Sequence, residues 1–339
     1  MGTDLVNCEI STRMFLMDNI AFIAGSGRSG TTWLQLMLGS HPAVATAQES
    51  QLFNNYLSKL VRQWEAELRY PETSELRFHG ISSYIDTAEF YQLLRQFAEG
   101  VYAPILAQKA SAKLFLEKSP NNSLHLPVIQ ACFPKAKIIH VIRDGRDVAS
   151  SILAARKDWG KYWSHRGIED AALEWKTAVN TSRAACISSS SYLEVKYEDL
   201  LENGYSKLEE IFSFLSIPST EEEIKVVYDA HTFDKLKSNK YDKKTFINPG
   251  ERVASGTEER PEPTNFFRKG VSGSWKTELS MQQLAEFNWV AGDLLHELGY
   301  TENAITNVKK PFSLSLKHGY RYLRSGFAKK IKTILRLSS

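Results

Sequence analysis

The sequence predicts an α/β fold, a central parallel sheet flanked by helices around a P-loop-like nucleotide-binding core. Short apolar runs, Ile20–Ala24 and Lys137–Ile142, read as strands buried on both faces. Each runs into a polar turn and then a segment of helical periodicity, and strands alternating with helices imply a parallel sheet with ligands at the strands' carboxyl ends. The first turn, Gly25-Ser26-Gly27-Arg28-Ser29-Gly30-Thr31-Thr32-Trp33, is rich in glycine and hydroxyl groups and opens a helix. It nearly spells G-x-x-x-x-G-K-[ST], but Thr31 stands in the lysine slot.

The elements follow in order. Residues 31–38 continue as a helix closed by Gly39 and followed by Pro42. Residues 52–97 place aromatic and charged groups at helical spacing, with Phe53, Leu57, Leu60 and Trp64 as the apolar face and breaks at Pro71 and Gly80. Residues 112–117 read as a strand ending in the turn Lys118-Ser119-Pro120-Asn121-Asn122. Lys137–Ile142 ends in Arg143-Asp144-Gly145-Arg146-Asp147 before another helix, and residues 192–195 form a third strand before Lys196-Tyr197-Glu198-Asp199-Leu200. Residues 239–273 carry Lys, Pro, Gly and Glu without periodicity, and so long an irregular segment reads as a lid, with a plain disordered loop as the alternative. Ser280 and Gln283 form a capping box for a helix whose apolar face is Leu284, Phe287, Ala291, Leu294 and Leu298, ended by Gly299. One domain over residues 1–301 and a basic tail over residues 302–339 are expected.

The chain has 339 residues, enough for a substantial core, with 42% apolar and 24% charged residues. A net charge of +3 is too mild to argue for nucleic acid. Cys8, Cys132 and Cys186 are widely spaced with no Cys-x-x-Cys, so neither a disulfide framework nor a zinc site is indicated. Asp4, Glu9 and Arg13 interrupt the N-terminal stretch where a secretory signal would be apolar, and no uncharged apolar run approaches the ~20 residues of a membrane span. A cytoplasmic protein is expected.

The chemistry begins with the glycine turn. Backbone N–H groups at a helix start cradle an anion, Thr31 and Thr32 add hydroxyl donors, and Arg28 is the nearby cation. Arg143 and Ser151, at a strand end and on the following helix, make a guanidinium-plus-hydroxyl clamp for phosphate; a loop ion pair between Arg143 and Asp144 is the plainer alternative. Phe267-Arg268-Lys269-Gly270-Val271-Ser272-Gly273-Ser274-Trp275-Lys276 offers further cations and N–H groups; a solvated basic loop is the alternative.

Taken in order, these segments resemble the sulfotransferases that use 3′-phosphoadenylyl sulfate (PAPS). Gly25 to Trp33 is similar to the family's 5′-phosphosulfate loop, with Gly27, Arg28, Ser29, Gly30, Thr31, Thr32 and Trp33 as donor-binding residues. Arg143 and Ser151 resemble its 3′-phosphate motif, Tyr197-Glu198-Asp199-Leu200 its Y-E-D-L segment beside the adenine, and Arg268-Lys269-Gly270 its closing R-K-G-x-x-G-x-W-K element. Ser274 replaces the usual aspartate of G-D-W-K, a change expected to be tolerated. The slot of the cytosolic enzymes' catalytic histidine, two residues after Lys118, holds Pro120. His125 and His140 are poor substitutes.

The resemblance instead implies Glu49 as the base, at the spacing after Gly39-Ser40-His41-Pro42 found in tyrosylprotein and glycosaminoglycan sulfotransferases; a helix N-terminal charge is the alternative. It further implies transfer of a sulfuryl group from PAPS to a hydroxyl, with Glu49 taking the acceptor's proton and Lys118 and Arg28 stabilising charge on the transferring group. The transition state is loose and in line, as for phosphoryl groups, and no metal is expected. A carbohydrate or glycolipid acceptor comes first and a small alcohol or phenol second, bound by residues 51–111, where Trp64, Tyr70, Phe78, Tyr84 and Tyr91 are core or sugar-stacking residues, and by the lid. A P-loop kinase or nucleotidase acting on ATP is disfavoured by Thr31. A non-catalytic nucleotide-binding membrane adaptor would tolerate loss of Glu49 and Lys118.

In the tail, Leu316, Tyr320, Leu323, Phe327, Ile331 and Ile334 recur at spacings of three and four among Lys317, Arg321, Arg324, Lys329, Lys330, Lys332 and Arg336. Such a helix either lies on an anionic membrane surface, making the protein peripheral, or packs on the domain.

Overall fold

The chain is seen in a computed structural model that describes residues 19–69, 80–165, 167–186, 189–238 and 266–302. Five strands, β1 (Ile20–Ala24), β2 (Val44–Thr46), β3 (Leu114–Lys118), β4 (Lys137–Ile142) and β5 (Tyr192–Lys196), form one sheet in the order β2-β3-β1-β4-β5. Every pairing is parallel. The side chains of β1 alternate between two cores, as a strand covered on both faces requires. Ala21 and Ile23 join Leu116, Ile139, Val141 and Val195 on one face. Ile20, Phe22 and Ala24 join Phe115 and Ile138 on the other.

Helices α1 (Thr31–Ser40), α2 (Ser58–Leu68), α3 (Thr87–Leu106), α4 (Leu126–Cys132), α5 (Gly145–Lys157) and α6 (Ile168–Cys186) are long or short connections of this sheet. After β5 come α7 (Tyr197–Glu202), α8 (Gly204–Leu215), α9 (Glu221–Ala230), α10 (Phe233–Lys237), α11 (Trp275–Glu278) and α12 (Met281–Glu297). α1, α8 and α9 cover the first face, and α2, α3 and α4 the second. α5, α6 and α12 bury a third core around Trp175 and Phe287. The Ser280–Gln283 capping box forms as the sequence predicts, and Gly299, at φ 77, stands just past the helix end.

The strand order places the functional crevice. From β1 the chain turns to one side for β2 and β3, then crosses to the other for β4 and β5. The carboxyl ends of β1 and β4 therefore diverge at a topological switch point, where α/β sheets hold their ligands. Lys118 lies opposite Ile23 in register, so the end of β3 abuts the same turn.

Two details differ from the sequence reading, and a third settles an alternative it left open. β2 spans three residues, too few for a period of two to show. A π-helical turn at Phe53–Leu57 precedes α2 and shifts its phase, so Val61 is buried and Leu60 is exposed. Trp64 is a core residue, stacked on Phe90 with ring centroids 4.4 Å apart, while Tyr84 is exposed. Tyr70, Phe78, residues 239–265 of the lid segment and the tail from residue 303 lie outside the described residues.

Candidate active site

The turn after β1 is shaped by backbone that only glycine tolerates well. Gly25 adopts φ 154 and Gly30 φ 95, and a Cβ on Gly30 would stand 2.5 Å from the Tyr197 ring. Arg28, at φ 71, is a non-glycine residue in the left-handed region. α1 then begins at Thr31 with no side chain capping it, so its first N–H groups are available to an anion. A cavity of about 490 Å³ opens here, and its wall includes Gly27, Arg28, Gly30, Thr31, Thr32 and Trp33.

Arg143 and Ser151, the pair singled out in the sequence, both line this cavity on the β4 side. Arg143 donates to the carbonyls of Arg28 (3.2 Å) and Val271 (3.0 Å) and lies 4.2 Å above the centre of the Tyr197 ring. Its Nε is buried without a partner among the described residues, as is Ser29 Oγ. Asp144 does not pair with Arg143: its carboxylate takes Arg146 at 2.7 Å. Tyr197 is buried beneath Gly30 and Arg143, and burial pushes its phenol up.

Arg28 lines the same cavity, and its guanidinium donates to Ser151 Oγ (3.1 Å) and the Phe266 carbonyl (2.6 Å). Its Cζ lies 5.3 and 4.7 Å from the centres of the Trp159 and Phe266 rings, which themselves pack with centroids 5.4 Å apart. The two aromatic faces and a carbonyl draw the cation to the clamp side of the cavity.

The opposite wall holds Glu49. Its Oε1 accepts from Lys118 Nζ at 2.5 Å, and Lys118 also donates to Thr32 Oγ1 at 3.0 Å. Lys118 is 3% exposed and is absent from the described cavity wall, so it reaches that space through Glu49 and Thr32. Sequence reasoning missed Glu117, which fixes this turn. Buried in β3, it accepts from Ser50 (2.8 Å), Ser119 (2.8 Å) and Asn122 (2.5 Å), and Ser119 in turn accepts from the Gln51 N–H. An acid inside the apolar run Leu114–Lys118 was the available signal, since buried carboxylates are rare unless paired.

The closing element, residues 266–276, is docked onto α5. Asp147 accepts from the N–H groups of Gly273 (2.7 Å) and Trp275 (2.9 Å) and from Ser274 Oγ (2.9 Å). In this chain a carboxylate in place of Ser274 would face Asp147. Arg268, Lys269 and Gly270 reach the cavity wall, but both cations are engaged by Glu278, each at 2.6 Å. Burial alone would push the Glu278 carboxyl up; hydrogen bonds from Arg268, Lys269 and Ser150 outweigh it and hold the group at about 2.

His140 is buried against Tyr192 within the sheet, and His125 meets Asn54. Among the described residues no group of three His, Cys, Asp or Glu side chains could hold a metal ion, and no helix is long and apolar enough to cross a membrane. Trp159 and Trp163, which the sequence did not mark, add aromatic wall.

Comparison with known proteins bears on this arrangement. The chain is 27% identical to protein-tyrosine sulfotransferase A of Caenorhabditis elegans over 205 residues, 58% of this chain and 50% of that one. It is 25% identical to human sulfotransferase 2A1 over 200 residues, 54% and 64% of the two chains. It spans about half the length of the first protein-tyrosine sulfotransferases it matches. Mouse sulfotransferase SULT7A1, solved with PAP, shares the fold at a TM-score of 0.54 and 19% identity, over 84% of this chain and 87% of that one. The family profile described as "Sulfotransferase family" matches residues 21–222, from β1 through the start of α9, and the chain belongs to that family.

Proposed function

We propose that this chain transfers a sulfuryl group from PAPS to an acceptor hydroxyl. The observation that carries the reading is the convergence on one cavity of three parts. These are the uncapped start of α1, the Arg143–Ser151 clamp, and the Glu49 carboxylate held by Lys118. The donor fits on structural grounds: buried donors at Ser29 and Arg143 stand without partners at the loop and the clamp, and the glycines allow close approach to a phosphosulfate.

In this reading the N–H groups of α1 and the hydroxyls of Thr31 and Thr32 hold the phosphosulfate, while Arg143 and Ser151 take the 3′-phosphate. Arg28 serves the clamp through Ser151. Glu49 accepts the proton of the acceptor hydroxyl as its oxygen attacks sulfur and the bond to the phosphate oxygen breaks. Once Glu49 is protonated its pairing with Lys118 weakens, and the ammonium is free to face the charge developing on the leaving group.

The acceptor we favour is a hydroxyl of a carbohydrate or glycolipid, with a small alcohol or phenol second, and the aromatic wall of Trp159, Trp163 and Phe266 supports a ring-bearing acceptor. The names of the protein-tyrosine sulfotransferases favour a second reading, a peptide tyrosine. Incubating the chain with radiolabelled PAPS and separate pools of glycans, glycolipids, phenols and tyrosine peptides tests both. Label in a hydroxyl acceptor supports sulfuryl transfer and the labelled pool names the class; no transfer to any pool, with the donor intact, contradicts it. The tail's association with anionic membrane remains a proposal from sequence, to be read by liposome sedimentation at rising salt.

A further inference from the structure

Glu278, at the end of the single-turn helix α11, carries no role in any motif, yet it gathers three groups. Its Oε2 accepts from Arg268 Nη2 at 2.6 Å and from Ser150 Oγ, and its Oε1 pairs with Lys269 Nζ at 2.6 Å. Arg268 and Lys269 line the cavity, whereas Glu278 is absent from its described wall, so both cations stand between the carboxylate and the cavity. Ser150 adjoins Ser151 of the clamp on α5, and Asp147, one helical turn earlier, fixes the other end of α11.

We propose that Glu278 is the positioning residue that aims Arg268 and Lys269 at the donor's 3′-phosphate, an inference that rests on the donor reading above. Lysine and arginine lose more rotamer freedom on ordering than most side chains. The Lys269 side chain is 47% exposed and would otherwise sample many directions. A carboxylate that already holds both cations removes that ordering cost before the phosphate arrives. It does not saturate them, because an ammonium has three donors and a guanidinium five. The carboxylate's low pKa, about 2, keeps it charged for this task at any working pH.

Charge counting alone predicts the opposite sign. Removing Glu278's negative charge would strengthen the attraction of the crevice for phosphate, whereas losing its alignment weakens the hold on one particular phosphate. The test compares adenosine 3′,5′-bisphosphate with adenosine 5′-phosphate by equilibrium titration of the chain, Glu278→Gln, Glu278→Asp and Ser150→Ala. We expect Glu278→Gln to weaken the bisphosphate about tenfold while leaving the 5′-phosphate unchanged, the scale of a lost charge-assisted contact. Glu278→Asp restores part of the loss, and Ser150→Ala, which removes only one tether, gives a smaller loss in the same direction. Should Glu278→Gln fail to fold, Ser150→Ala decides alone. Unchanged or tighter bisphosphate binding in a folded variant overturns the positioning role while leaving the donor reading intact. A parent chain that does not distinguish the two nucleotides overturns both.

Discussion

Lys118 and Glu49, 69 residues apart in sequence, meet at 2.5 Å beside the start of α1. The lysine closes β3 opposite Ile23 of β1, and the glutamate lies in the turn after β2, so the parallel sheet itself brings them together. The pairing fixes the Glu49 carboxylate at the cavity, where we propose that it accepts the acceptor's proton. Glu49→Gln is expected to keep donor affinity and to cut turnover about a hundredfold or more, the scale of general-base loss. Lys118→Ala should lower turnover more than it weakens acceptor binding. Steady-state kinetics alongside donor titration check both, and near-normal turnover of Glu49→Gln would move the base elsewhere.

Gly30 tests the loop. At φ 95, with Tyr197 filling the space a Cβ needs, Gly30→Ala should cost about 1–3 kcal/mol of stability for the strained backbone alone. Donor affinity should fall with it, because relief requires the Tyr197 ring or the start of α1 to move. A thermal melt and a nucleotide titration read the two effects. An alanine variant matching the parent in both would show that the loop is looser than this geometry.

Ser274 tests the docking of the closing element. Ser274→Ala removes a hydrogen bond to the Asp147 carboxylate and should cost about 1.5–3 kcal/mol. Ser274→Asp restores the aspartate usual in related motifs, yet here it sets two carboxylates against each other and should destabilise more than alanine does. Chemical denaturation of both variants gives the order. A Ser274→Asp chain as stable as the parent would contradict the Asp147 account.

Much of the fold and site was legible in sequence because the signals are local. The apolar runs of β1 and β4, the glycine turn and the Ser280–Gln283 box each declare themselves within a dozen residues. What escaped depends on partners far away in the chain. The contacts of Arg28 with Trp159 and Phe266, more than a hundred residues away, have no local signal. Glu117, Asp147 and Glu278 look like ordinary acids until the fold sets hydroxyls, N–H groups and cations around them. β2 is too short for periodicity, and a π-helical turn re-phases the face that Leu60 seemed to share.

The donor assignment is the central claim, and calorimetry tests it most directly. Adenosine 3′,5′-bisphosphate and ADP both carry an adenosine and a 5′-phosphate, but only the first offers a 3′-phosphate to Arg143 and Ser151. A charge-assisted contact to that group is worth about 1.5–3 kcal/mol, so the bisphosphate should bind at least about tenfold more tightly, and Arg143→Ala should erase most of the difference. Equal affinities for the two nucleotides, or a preference for ADP, would contradict the account.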